Sequence, residues 1–125
     1  MILGVGLDME RAERFAAEGP GGGEGLLERV FTAGELEYCR RMARPAPFFA
    51  ARFAAKEALF KALGTGKRGG MSWLDVEVVH DELDKPALVL AGETGEIAHR
   101  LGVSKVHVSL THTGSLSAAL VVLEG

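Results

Sequence analysis

The 125-residue sequence has one cysteine, one tryptophan, one tyrosine and four prolines. A lone Cys39 excludes an internal disulfide framework and a thiolate metal cluster. No apolar run approaches the roughly 18 residues that a bilayer crossing needs, so no membrane partner is expected. The opening MILGVGLDMERAERF puts no basic group ahead of its short apolar stretch and soon reaches Asp8 and Glu10. No signal peptide is expected there, and the location expected is cytoplasmic. What is present, 47% hydrophobic and 25% charged residues, is the balance of a globular protein. The length suits one domain over residues 1–125.

Charge is unevenly spread. Residues 1–70 carry 11 Lys/Arg against 9 Asp/Glu, and residues 71–125 carry 3 against 8. Between residues 40 and 68 stand eight bases (Arg40, Arg41, Arg44, Arg52, Lys56, Lys61, Lys67 and Arg68) and a single acid, Glu57. Such a segment on a mildly acidic chain suits an anionic ligand, and a solvated helix face is the ordinary alternative. Nucleic acid is a poor candidate, because many of these bases share a helix with an apolar body.

Ile2–Leu7 reads as a strand whose Gly4 and Gly6 share a face, where a neighbour is expected to pack closely. Met9 to about Ala17 reads as a helix with Asp8 as a possible N-cap, and Gly19–Gly25 as a flexible connection. Thr32 opens a helix with Glu35 completing a capping box, running to about Arg44 ahead of Pro45 and Pro47. Phe48–Leu63 is the longest expected helix, stopped by Gly64. Aromatic residues line one side and alanines the other, so it should lie sandwiched, with Arg52, Lys56, Glu57 and Lys61 in need of partners. Trp73–His80 and Ala87–Leu90 read as strands around a turn at 81–86, and Thr94–Leu101 as a short helix. Val106–Leu110 and Leu116–Leu123 form a last hairpin with a loop at His112–Ser115. The expected class is α+β, with a small antiparallel or mixed sheet packed on a long central helix.

Three constellations carry possible chemistry. Asp8 is either an N-cap or a hard-cation ligand. Glu57 and Lys61, four apart, are either a weak ion pair or a metal-binding carboxylate and a phosphate-neutralising cation. The following Gly64-Thr65-Gly66-Lys67 looks like a phosphate loop but follows a helix and lacks the Ser/Thr after its lysine, so it fails the Walker pattern. His112, in Ser109-Leu110-Thr111-His112-Thr113-Gly114, is a general base, a phosphate donor or a plain turn histidine. His107 and His112 fall on opposite strand faces, which argues against a two-histidine zinc site.

Taken together, GVGLDMERAERF, FTAGELEYC, ARFAAKEALFKALGTG and VSLTHTGSLSAALVVLE resemble the holo-[acyl-carrier-protein] synthases, the small bacterial branch of the 4′-phosphopantetheinyl transferases. The likeness runs from end to end, with the blocks in matching order. It implies an α+β fold, homotrimers with sites at subunit interfaces, and transfer of phosphopantetheine from coenzyme A to a serine of apo-acyl carrier protein, releasing adenosine 3′,5′-bisphosphate. By the same resemblance, Asp8 and Glu57 match magnesium-binding carboxylates, Lys61 a lysine beside the pyrophosphate, and Arg52 a base on the coenzyme phosphates. Gly64, Thr65 and Gly66 match a turn near the nucleotide, His112 and Thr113 a segment reaching it from a neighbouring subunit, and Arg14 a grip on the acidic carrier protein. Leu116 departs from the pattern, standing where relatives often have an aromatic, and the glycine-rich Gly19–Gly25 is peculiar to this chain.

The residue types suit that chemistry. Splitting a pyrophosphate requires charge neutralisation on phosphate oxygens and in-line alignment of the attacking hydroxyl. Mg²⁺ usually takes one or two protein carboxylates plus substrate phosphates, which Asp8 and Glu57 can supply. Lys61 can stabilise the leaving group, and Glu57, directly or through a water it orients, can accept the serine proton. The alternative from another class is a non-catalytic module binding coenzyme A or carrier protein through the same basic segment.

Overall fold

The computed structural model describes residues 1–16 and 25–125. Its elements in chain order are β1 (Ile2–Arg11), a 3₁₀ turn (Ala12–Phe15), α1 (Leu26–Val30), α2 (Ala33–Arg40), α3 (Pro45–Ala62), a second 3₁₀ turn (Trp73–Asp75), β2 (Val76–His80), β3 (Pro86–Leu90), α4 (Gly92–Arg100), β4 (Lys105–Thr113) and β5 (Leu116–Glu124). β1, β5 and β4 form an antiparallel sheet in that order, and β2 pairs with β3 in a second antiparallel sheet. The α+β class and the long central helix are as expected. No helix among the described residues is long and apolar enough to cross a membrane.

α3 is the spine. Arg44 is its N-cap and Pro45 its first residue, a position where proline's missing N–H costs nothing. The prolines therefore begin this helix three residues ahead of the expected Phe48. α2 ends at Arg40, short of Arg44, and α1 was not anticipated. Phe49 and Phe53 pack with Phe15 and Phe31 in one cluster, while Ala54, Ala58 and Ala62 join Val121 and Leu123 of β5 in another. Two-sided burial is thus realised.

Gly4 and Gly6 lie where expected. A methyl at Gly4 would collide with the Ala62 carbonyl oxygen, and one at Gly6 with the Ala58 carbonyl oxygen. β1 is thereby pressed onto the backbone of α3.

Other boundaries differ, α4 running over Gly92–Arg100 instead of Thr94–Leu101 and β3 starting at Pro86. β1 continues through Asp8 to Arg11, with Asp8 opposite Ala119, because β5 offers partners along its whole length. Asp8 is therefore not an N-cap; Arg11 holds that position before a single 3₁₀ turn, and gives no side-chain cap. Ala17 and most of the Gly19–Gly25 connection lie outside the described residues. β4 runs through His112 and Thr113, which pairs with Leu116, so the turn is only Gly114-Ser115, with Gly114 at φ 57°. Trp73–Asp75 forms a 3₁₀ turn rather than the start of a strand, because Ser72 and Asp75 close a capping box over it.

Lys56 is fully buried, and its ammonium donates to Glu35 Oε1 (2.7 Å) and to the carbonyls of Val30 (2.8 Å), Trp73 (3.0 Å) and Val76 (2.7 Å). Glu35 also completes the expected capping box with Thr32 and accepts from the Val78 amide.

Two stability predictions follow from these contacts. Gly6→Ala must displace backbone, so it should cost about 3 kcal/mol and lower Tm by about 10 °C; an unchanged thermal transition would mean that β1 is not pressed on α3. Lys56→Met strands Glu35 as a buried charge and should cost about 3–5 kcal/mol in urea denaturation, far above the effect of an ordinary surface change.

Candidate active site

β1, on its α3-facing side, alternates Gly4, Gly6, Asp8 and Glu10. The two glycines bring the backbones together, and the next residues on that face are acids. Lys61, near the end of α3, donates to Asp8 Oδ1 (3.0 Å) and to the Leu7 carbonyl (3.0 Å). Asp8 Oδ2 is buried and has no hydrogen-bond partner among the described residues. Glu10 lies beside Asp8, with Arg14 Nη1 at 3.1 Å. Burial first, then the Asp8 carboxylate, push the Glu10 carboxyl up to about 7, against the pull of Arg14.

Glu57 lies one turn before Lys61 on the same face of α3. The two do not pair. Glu57 Oε1 instead accepts from the indole N–H of Trp73 at 2.8 Å, which overturns the weak-pair alternative. Around these groups, the Arg14 guanidinium sits 4.8 Å from the Phe53 ring centre and the Lys67 ammonium 4.3 Å from that of Trp73. Two or three acids are thus bordered by three cations (Arg14, Lys61 and Lys67), a combination suited to a divalent ion and a polyphosphate together. Among the described residues no group of three or more His, Cys, Asp or Glu side chains is placed to hold a metal unaided. Mg²⁺ needs only one or two carboxylates when phosphates supply the rest, and the unpartnered Asp8 Oδ2 is a suitable donor.

The remaining predicted residues lie elsewhere. Arg52 is about 140° around α3 from Glu57 and about 180° from Lys61. It is 2% exposed, donates to the Phe48 carbonyl (3.2 Å) and to His80 Nε2 (2.6 Å), and rests 4.4 Å from the Tyr38 ring centre. A guanidinium only donates, so His80 meets it as a neutral ring accepting at Nε2. Tyr38 and His80 stack at 4.4 Å. His112 packs against Phe48 at 6.0 Å and shares with Arg52, His80 and Tyr38 a cavity of about 170 Å³. Arg52 Nε, buried there, has no partner among the described residues.

Gly64 (φ 80°) and Gly66 (φ 63°) terminate α3 through left-handed backbone, and Thr65 lies between them, bonded to the Gly66 carbonyl. One chain therefore gathers Asp8, Glu57, Lys61 and Arg14 on one side of α3, and Arg52 and His112 on the other. Thr113, the next residue of β4, is exposed at the strand's end. Glu10, Trp73, Tyr38 and His80 were not anticipated. Only Glu10 had a visible signal, the period-two spacing from Asp8.

Residues 4–121 match the 4′-phosphopantetheinyl transferase superfamily. The chain is 48% identical to a holo-[acyl-carrier-protein] synthase of Geotalea daltonii over 127 residues, covering 99% of both chains. It is 49% identical to that of Geobacter sulfurreducens over 124 residues, covering 99% of this chain and 98% of the relative. Among solved structures, the synthase of Neisseria meningitidis superposes with a TM-score of 0.88 at 33% identity, covering all of both chains. That of Bacillus anthracis, in complex with CoA (3′,5′-ADP), gives 0.78 at 34% identity, covering 98% of this chain and 96% of the other. A match of this length, with the acids and cations already gathered on α3 and β1, makes the chain an enzyme of the 4′-phosphopantetheinyl transferase superfamily.

Proposed function

We propose that this enzyme is a holo-[acyl-carrier-protein] synthase that moves 4′-phosphopantetheine from coenzyme A to a serine of apo-acyl carrier protein. The observation that carries the reading is the Lys61–Asp8 ion pair where β1 meets α3, with Glu57 one helical turn before Lys61 on the same face of α3. The serine oxygen forms a new bond to the β-phosphorus, and the pyrophosphate P–O bond breaks to release adenosine 3′,5′-bisphosphate. The serine proton passes to Glu57, directly or through a water that it orients. Lys61 uses two donors on Asp8 and Leu7 and keeps a third for the leaving phosphate. Mg²⁺, held by Asp8 and Glu57, would neutralise the diphosphate when bound. Arg14, about half exposed beside Glu10, is assigned to docking the acidic carrier protein.

The separation of Arg52, His112 and Thr113 from the acids supports a site shared between copies, in which one copy supplies the carboxylates and its neighbour the phosphate-binding Arg52 face. The sheet supports the same reading. Val5, Leu7 and Met9 of β1 are 57–62% exposed and pair with Val122, Leu120 and Ala118 of β5. Such a continuous apolar face suits a partner surface, and we assign it to a homotrimer. The Gly64-Thr65-Gly66 turn lies at the end of α3 beyond Lys61 and is assigned to the nucleotide. The enzyme as a whole is assigned to the cytoplasm, where coenzyme A is used. A single domain spanning residues 1–125 is part of the same reading.

Incubation of apo-acyl carrier protein with coenzyme A and Mg²⁺ should add the mass of one phosphopantetheine group per carrier protein. Asp8→Ala should lose at least about a hundredfold in rate while keeping its circular dichroism. No mass gain with binding intact would favour a non-catalytic binding module instead. Leu120→Lys, distant in sequence from the acids, should shift sedimentation from trimer to monomer and abolish turnover together. An active monomer would refute the shared site.

A further inference from the structure

We propose that Trp73 is the positioning residue for Glu57, holding its carboxylate in one orientation without cancelling its charge. The inference rests on the assignment of Glu57 to the metal and proton-transfer site. An indole N–H is a donor only and carries no charge. Its 2.8 Å bond to Glu57 Oε1 fixes that oxygen, while Oε2 accepts no hydrogen bond among the described residues. Had Lys61 taken Glu57 as an i,i+4 partner, the carboxylate would have been oriented and neutralised at once, leaving less attraction for a cation. Lys61 turns to Asp8 instead.

The indole is itself held firmly. Its ring meets Phe53 at 5.8 Å and carries Lys67 over its face at 4.3 Å. Its backbone carbonyl accepts from the buried Lys56 at 3.0 Å, and the Ser72–Asp75 capping box closes around it. Asp75 in turn accepts from the Thr94 hydroxyl at 2.8 Å. Phe53 and Glu57 are four apart on α3, so the ring packs over one turn while the N–H reaches the next. A side chain anchored at ring, backbone and cap can hold a neighbouring carboxylate in one direction.

The test uses the full chain with coenzyme A bound and Mg²⁺ as the titrant. Trp73 is the only tryptophan in the sequence, so its emission reports on this contact directly. In the native sequence Mg²⁺ should change that emission along the same isotherm that calorimetry gives for Mg²⁺ binding, and in Glu57→Gln the change should vanish. Trp73→Phe keeps a ring in the slot and removes the donor. Its calorimetric midpoint for Mg²⁺ should rise roughly tenfold, the low end of the range expected for one hydrogen bond to a charged group, with coenzyme A affinity in the absence of cation unchanged. The effect should be absent in the Glu57→Gln background, where Trp73→Phe adds nothing further.

An unchanged midpoint in Trp73→Phe, while the native chain binds Mg²⁺ through Glu57, overturns the positioning role alone. A native chain that binds no Mg²⁺ overturns the metal assignment and this inference with it. If Trp73→Phe proves unfolded, the emission titration of the native chain decides: no response to Mg²⁺ binding rejects the contact as part of the site.

Discussion

A single buried ammonium sets the positions of most elements around α3. Lys56 has three N–H groups and four oxygens within 3.0 Å, drawn from the end of α1, the first turn of α2, the second 3₁₀ turn and β2. Burial pulls the Lys56 pKa downward, and the charge of Glu35 pulls it back. Such a pair is a poor source of net stability, because desolvating both ions offsets most of their attraction. Its contribution is geometric. Glu35 is at once the ion partner, a capping-box residue and the acceptor for the Val78 amide, so α2 cannot shift without unpairing Lys56. The same ammonium holds the Trp73 carbonyl, and Trp73 holds Glu57. The structural knot and the candidate chemistry are therefore two bonds apart.

α3 does different work on each of its faces. Ala58 and Ala62 present bare backbone to Gly4 and Gly6, which lets β1 approach closely enough for Lys61 to reach Asp8. Phe53, Glu57 and Lys61 form a second face, and Arg52 the opposite one. A rigid helix cannot bring Arg52 and Lys61 onto one ligand within a single copy, since their directions differ by about half a turn. Under the proposed reading, that constraint makes assembly a requirement of catalysis rather than an accessory to it, and it gives the exposed apolar strands of the sheet a purpose.

The close approach at Gly4 and Gly6, the Thr32–Glu35 capping box, the sandwiched helix and its stop at Gly64 were legible in the sequence because each leaves a pattern among residues a few positions apart. β1 was read too short for a specific reason. Its apolar residues Val5, Leu7 and Met9 face away from α3 while glycines and acids face inward, an inversion of the usual strand pattern. Beyond Asp8, the helix-favouring run Glu10–Ala16 also competed with pairing to β5, and the pairing prevailed through Arg11. The partners of Glu57 and Lys61 were illegible because they lie 16 and 53 residues away. Local spacing suggested that the two would meet, but only the folded topology offers each a different partner.

That choice of partners separates two carboxylates that composition alone would treat as equivalent. Asp8 is met by a cation and Glu57 by a neutral donor. Under the proposed reading, an arriving diphosphate would engage the third donor of Lys61, whose side chain is 52% exposed. A phosphate on that donor would compete with Asp8 for the same ammonium charge, and so would leave Asp8 a stronger ligand for a divalent ion. Glu57 needs no such release, since the indole has oriented it without neutralising it. Substrate and cation would then reinforce one another's binding, because each removes an unfavourable charge that the other leaves behind.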